Sequence, residues 1–135
     1  MAAFLSALLP ASSSWAGPPP VTAHVERRGE TIIVDIETTF AGTVEDAWGV
    51  LTDYAGMASF ITNIKSSAVV SRQGNSLVVR QSGETVVGFL HFGFAAVRSV
   101  ELIPMKEIDS TLISGDFESF VSTTRLVAFP AGVRV

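Results

Sequence analysis

The sequence contains no cysteine. That excludes a disulfide framework, thiolate zinc ligation and thiol catalysis. Histidine is nearly as scarce: His24 and His91 lie far apart with no ligand-like spacing, so a classical zinc site is not expected. Charge is thin, at 16% of 135 residues, and leans acidic, with 9 Lys+Arg against 13 Asp+Glu. There is no basic stripe to meet phosphates, so nucleic acid is excluded as a partner. No apolar run approaches the roughly 20 residues that span a bilayer. No G-x-S-x-G with a Ser/His/Asp set, no H-E-x-x-H and no P-loop occurs.

Apolar surface, by contrast, is plentiful. Hydrophobic residues make up 47% of the chain, and mean hydropathy is +0.43. Global disorder is thereby excluded. The length suits one domain, which at this size buries roughly two thirds of its unfolded surface.

The chain opens with the largely apolar run Ala2 to Leu9, broken by Pro10. Ser14 and Ala16 then stand at the -3 and -1 positions of a cleavage site after Ala16. This is the pattern of a secretory leader, although no Lys or Arg precedes the run. It predicts export to the periplasm or beyond. Gly17 to Pro20 is a Pro-rich spacer, since proline fixes φ and lacks an N–H. The folded domain is expected over 21–135.

Val21 to Arg28 reads as a strand, and Arg28-Gly29-Glu30 as a turn. Thr31 to Phe40 alternates, with Ile32, Val34, Ile36, Thr38 and Phe40 on one face and Asp35 and Glu37 on the other. That is a half-buried strand, and the two segments form a hairpin. Thr43 is suited to cap a helix whose first turn holds Glu45 and Asp46. Val44, Ala47, Trp48 and Leu51 share its apolar face. Asp53 to Gly56 interrupts it, with Asp53 as a local cap, and Met57 to Ile61 adds a short second turn. Strand signals fill the rest, at 64–72, 77–83, 89–103, 110–117 and 120–129. Turn residues lie between them, including Gly83-Glu84, Pro104 to Asp109 and Gly115-Asp116. An antiparallel meander after a helical insertion is α+β.

Several words here are familiar. Trp48-Gly49-Val50-Leu51-Thr52-Asp53-Tyr54, Phe60 and Asn63-Ile64-Lys65-Ser66-Ser67 resemble the START/birch-pollen-allergen-like superfamily. The nearest branch is the bacterial polyketide cyclase/dehydrase and ubiquinone-binding START-like proteins. Gly74-Asn75 before Leu77, and Gly115-Asp116-Phe117, match further recurrent words. The resemblance implies a helix-grip fold, in which an antiparallel sheet wraps a long C-terminal helix around an apolar cavity. It also implies another strand and that helix beyond Val135, so the C-terminal helix is expected to be absent from this chain.

Strand parity nominates the lining. On 89–103, Leu90, Phe92, Phe94, Ala96, Arg98, Val100 and Leu102 form the more apolar set and are expected to face inward. That puts Arg98 among apolar neighbours, where a guanidinium needs an acceptor, from the protein or from a ligand's polar head; a bulge that turns Arg98 outward, or a structural ion pair, is the other reading. His91 then faces outward. Leu77, Val79 and Gln81 share an inward face, as do Phe120, Ser122, Thr124 and Leu126. The cavity candidates are therefore Phe60, Val79, Gln81, Phe92, Phe94, Arg98, Phe120 and Leu126. The expected function is binding or carriage of an apolar small molecule, such as a lipid, isoprenoid or quinone, without catalysis and without a cofactor. A cyclase or aromatase using the same cavity is the alternative. A third reading is an interaction module whose bare sheet face recruits a partner. Transient membrane contact and self-association through the uncovered sheet are the other expected partners.

Overall fold

Alternation at 21–40 does produce two strands, β1 (Val21–Arg28) and β2 (Thr31–Phe40), paired antiparallel in full register. The structure is a computed structural model and describes residues 21–135. The expected leader and spacer lie outside the described residues.

Helix α1 (Val44–Thr52) starts where the residues dictate. Thr43 Oγ1 accepts from the Asp46 N–H, and the Asp46 carboxylate accepts from the Thr43 N–H, a closed capping box. Asp53 then caps a single 3₁₀ turn over Tyr54–Gly56, its Oδ1 accepting from the Gly56 N–H at 3.0 Å. Helix α2 (Met57–Phe60) follows directly.

Five strands form the main sheet in sequence order: β3 (Ile64–Gln73), β4 (Ser76–Val87), β5 (Leu90–Ile103), β6 (Glu107–Gly115) and β7 (Val121–Arg125). Every neighbouring pair is antiparallel. The main core lies on the inner face of this sheet, beneath the helices. Leu77 and Val79 of β4, Val100 and Leu102 of β5 and Ile108 of β6 pack with Tyr54 and Met57. Trp48, Leu51 and Ile64 close over them.

The single meander needs three corrections. First, Gly83-Glu84 is not a turn. β4 runs on to Val87, and the turn is Gly88-Phe89, with Gly88 at φ +62°. Gly83 is glycine for another reason: a Cβ there would overlap the Asn63 carbonyl oxygen and the Phe94 ring. The Asn63 oxygen accepts the Glu84 N–H at 2.9 Å, so the helix-to-strand connection crosses close over β4 at this point. Second, the turn expected over Pro104 to Asp109 is shorter, since β6 begins at Glu107 and Lys106 N–H bonds Ile103 O at 3.0 Å. Third, the strand expected at 120–129 breaks at Leu126, whose N–H donates to Lys106 O at 2.9 Å. β8 (Val127–Phe129) and β9 (Gly132–Arg134) then join β2 in a second sheet, ordered β1-β2-β9-β8.

β2 is a strand, but its apolar face is not buried. Ile32, Val34 and Ile36 are 66%, 52% and 62% exposed. Among the described residues, α1 and α2 are the only α-helices, and they reach the Phe40 end of β2 alone.

Candidate functional site

On the inner face, away from the main core, the sheet holds a second apolar space of about 240 Å³. β5 contributes Phe94, Ala96 and Arg98, and β4 contributes Gln81. Ile64 of β3 and Leu112 of β6 stand to the sides, and Phe117 and Phe120 of the β6–β7 connection cover it. Phe94 and Phe117 pack with ring centroids 6.4 Å apart.

Parity placed Arg98 inward, and there it is. A bulge does occur beside it, but the extra residue is Ile113 of β6: Val97 pairs Ser114, then Arg98 pairs Leu112. Ile113 is turned out and Arg98 stays in. Its guanidinium donates from Nη2 to Gln81 Oε1. The Gln81 amide is fixed by its other end, where Nε2 donates to Ser67 Oγ at 3.0 Å and contacts Met57 Sδ at 3.2 Å. Gln81 is buried. Arg98 also lies 6.0 Å from the Phe120 ring centroid, a cation–π distance.

The charge balance at this site is unusual. Among the described residues no carboxylate forms an ion pair with Arg98. Gln81 is a neutral acceptor and takes one of five guanidinium N–H groups. Burial lowers the Arg98 pKa from its ordinary value, and the Tyr54 phenolate partly opposes that. Tyr54 mirrors it: burial raises its pKa, and the Arg98 charge pulls it down. Tyr54 is therefore a neutral phenol at physiological pH. What results is a half-buried cation with spare donors at the floor of a phenylalanine-walled cavity.

Of the eight expected lining residues, Gln81, Phe94, Arg98 and Phe120 come together here. Four do not. Val79 shares the inward face but lies under the helices, wholly buried in the main core. Phe92 has the right parity but sits two residues nearer the hairpin tip, past the covering elements, and is 53% exposed. Phe60 ends α2 and is 48% exposed, because the short helix buries Met57 instead. Leu126 is buried where the chain leaves β7 for β8, away from the cavity. Sequence reasoning missed Ile64, Leu112 and Phe117 as lining, and Ser67 and Met57 as the partners that orient Gln81. His91 faces outward and bonds Glu84.

A wider cleft of about 480 Å³ lies along β2 and β7, bordered by Glu37, Arg125 and Arg134. Its cations are paired, Arg134 with Glu37 at 3.6 Å and Arg125 with Glu107 at 3.0 Å. Of these two spaces, the smaller is the one that sets an unneutralised cation in an apolar wall.

The comparisons with known proteins agree with this architecture. Residues 41–130 match the family described as polyketide cyclase / dehydrase and lipid transport. The chain belongs to that family. It is thus a START/birch-pollen-allergen-like protein with an α+β helix-grip fold. Among solved structures, it resembles TTHA0849 from Thermus thermophilus, with TM-score 0.65 and 16% identity, covering 85% of this chain and 68% of that one. It also resembles the Zhui aromatase/cyclase from Streptomyces sp. R1128, with TM-score 0.64 and 16% identity, covering 87% of this chain and 63% of that one. This member of the family therefore spans about two thirds of the length of those structures. At such identities the likeness is one of fold. No curated protein sequence matches the chain.

Proposed function

We propose that this protein binds an apolar small molecule carrying one polar oxygen, and that Arg98 holds that oxygen. The observation that carries the reading is the half-buried guanidinium bonded, among the described residues, to the neutral Gln81 amide alone. A carbonyl, phenol or carboxylate oxygen would supply the acceptor the fold leaves out. About 240 Å³ holds a ring or head group but not a whole lipid, since ligand pockets usually run from about 300 Å³ upward. The rest of the ligand leaves past Phe117 and Phe120, which are 51% and 42% exposed. Lipids, isoprenoids and quinones all fit that description. The protein acts as a carrier, and the leader-like residues 1–16 favour work outside the cytoplasm.

Catalysis of the cyclase kind is the second reading, and the Tyr54–Arg98 coupling is what favours it. A neutral phenol near a cation can donate to a developing enolate. Tyr54, however, sits in the main core, 5% exposed, and no second proton-transfer group lines the cavity.

The test is native mass spectrometry of the full chain purified from cells, with mild release of what it carries. The expected result is a folded protein holding one oxygen-bearing apolar molecule. Arg98→Met should bind that molecule about 10- to 100-fold more weakly, the value of a hydrogen bond to a charged group. An Arg98→Met protein that is folded and binds equally well would overturn the reading.

A further inference from the structure

The β4–β5 hairpin ends in an apolar tip that the cavity does not use. Phe89, in the two-residue turn, is 89% exposed, more than any other large hydrophobic described. Val86, Leu90 and Phe92 beside it are 53%, 49% and 53% exposed. No charged residue occurs from Thr85 to Leu90. The turn holds its shape because Gly88 supplies φ +62° at its first position, as a tight hairpin of this type requires.

The distribution of these side chains matters more than their number. Leu90 and Phe92 share the parity of Arg98 and lie on the inner face of the ribbon. Val86 pairs with His91 and lies on the outer face. Exposed apolar side chains thus stand at the end of the ribbon (Phe89), on its inner face (Leu90 and Phe92) and on its outer face at Val86, opposite His91. A folded protein partner covers one face of such a ribbon and leaves the other wet. A fluid acyl phase surrounds all three surfaces at once. The first ionisable side chains behind the tip, Glu84 and His91, bond one another on the outer face. Glu84 stands back from the turn by four residues of strand and His91 by two, about 7 Å at 3.3 Å per residue. That is the depth at which interfacial segments settle below the headgroups.

We propose that this hairpin tip docks the protein on a lipid bilayer, with Phe89 and Leu90 in the acyl region and the Glu84–His91 pair at headgroup level. The chain's net charge of -4 offers no attraction to an anionic surface, so the contact is apolar and needs no anionic lipid. Docked this way, the sheet presents Phe94, the next inner-face residue after Phe92, toward the bilayer. That orientation suits ligand exchange, a link that rests on the proposed function; the docking itself does not.

The experiment is sedimentation of the full chain with phosphatidylcholine vesicles at 0.15 M and 1 M NaCl. Binding is expected at both, undiminished by salt. Phe89→Ser with Leu90→Ser, on exposed positions outside the cavity, should lower the partition coefficient at least tenfold while leaving the circular dichroism unchanged. Arg98→Met should sediment like the parent, which separates this proposal from the ligand reading. Failure of the parent to sediment overturns it, as does equal partition of the double variant. Binding that demands phosphatidylserine and disappears in 1 M NaCl also overturns it. So does a parent oligomer that the double variant converts to monomer without any vesicle binding, since the tip would then be an interface between copies.

Discussion

Tyr54 and Arg98 perturb one another without forming a salt bridge, and their titration has a readable sign. Burial raises the Tyr54 pKa above its usual 10.0. The folded protein therefore holds the phenol proton more tightly than the unfolded chain does. That stabilisation is fully present below the unfolded pKa, near 10, and is lost as pH rises toward the folded one. Unfolding free energy should fall above pH 10, and Tyr54→Phe should flatten the fall, as urea titrations from pH 8 to 11 would show. A parallel decline in both proteins would mean that other groups cause it. Arg98 shifts the other way, and its charged form carries a burial cost throughout the physiological range. Removing that charge relieves the cost but leaves the Gln81 Oε1 without its donor. The two effects oppose, which is why Arg98→Met is expected to remain folded and to serve as a test of binding. The inward placement of Arg98 was legible in part: strand parity nominates it, but only the fold shows that the neighbouring bulge falls at Ile113 and leaves Arg98 inside. Ser67 and Met57 as the partners of Gln81 were not, because both reach it through tertiary contacts.

The elements show where period-two reading stops working. β1, β2 and β5 announce themselves by alternation and composition, and Thr43 announces α1 by its capping chemistry. Gly83 misleads because glycine marks turns and close approaches alike, and only the fold brings Asn63 over β4. Gly83→Val should accordingly cost about 3 kcal/mol, the upper range for forcing volume into a packed site. Thermal melting would show it as a drop of 10 °C or more for a domain this size. A melting point within 2 °C of the parent would mean that the connection at Asn63 moves freely aside. Val79 and Phe92 show a second limit. Parity assigns a face, but one face of a long sheet serves the core under the helices, the cavity beyond and open solvent at the tip. Phe117 enters the cavity through a turn that Asp116 fixes: its Oδ2 accepts the Ala95 N–H at 2.8 Å, and its own N–H bonds Ala95 O at 3.0 Å. Nothing local in the Gly115-Asp116-Phe117 string specifies that return.

At the scale of the whole molecule, the two sheets are unequally supported. β3 to β7 pack beneath α1, α2 and the 3₁₀ turn, with Val79 and Val100 fully buried. β1 and β2 hold one another by a complete ladder, yet both faces of most of that ribbon are open. Local stability follows buried apolar contact more closely than hydrogen-bond number, because an exposed ladder exchanges its bonds with water. Amides of 32–36 should therefore exchange through local opening, at least 100-fold faster than those of 78–81 after correction for intrinsic rates. A factor of 100 is about 2.7 kcal/mol less protection. Hydrogen exchange read by mass spectrometry on the full chain measures this directly. Equal protection of the two segments would require a cover on Ile32, Val34 and Ile36 in solution, because the described chain supplies none. Addition of the cavity ligand separates the two sheets further: protection should rise around Gln81, Phe94 and Arg98 and stay unchanged at 32–36. The cavity belongs to the five-stranded sheet alone, so a ligand that tightened β2 as well would have to bind in the cleft beside it.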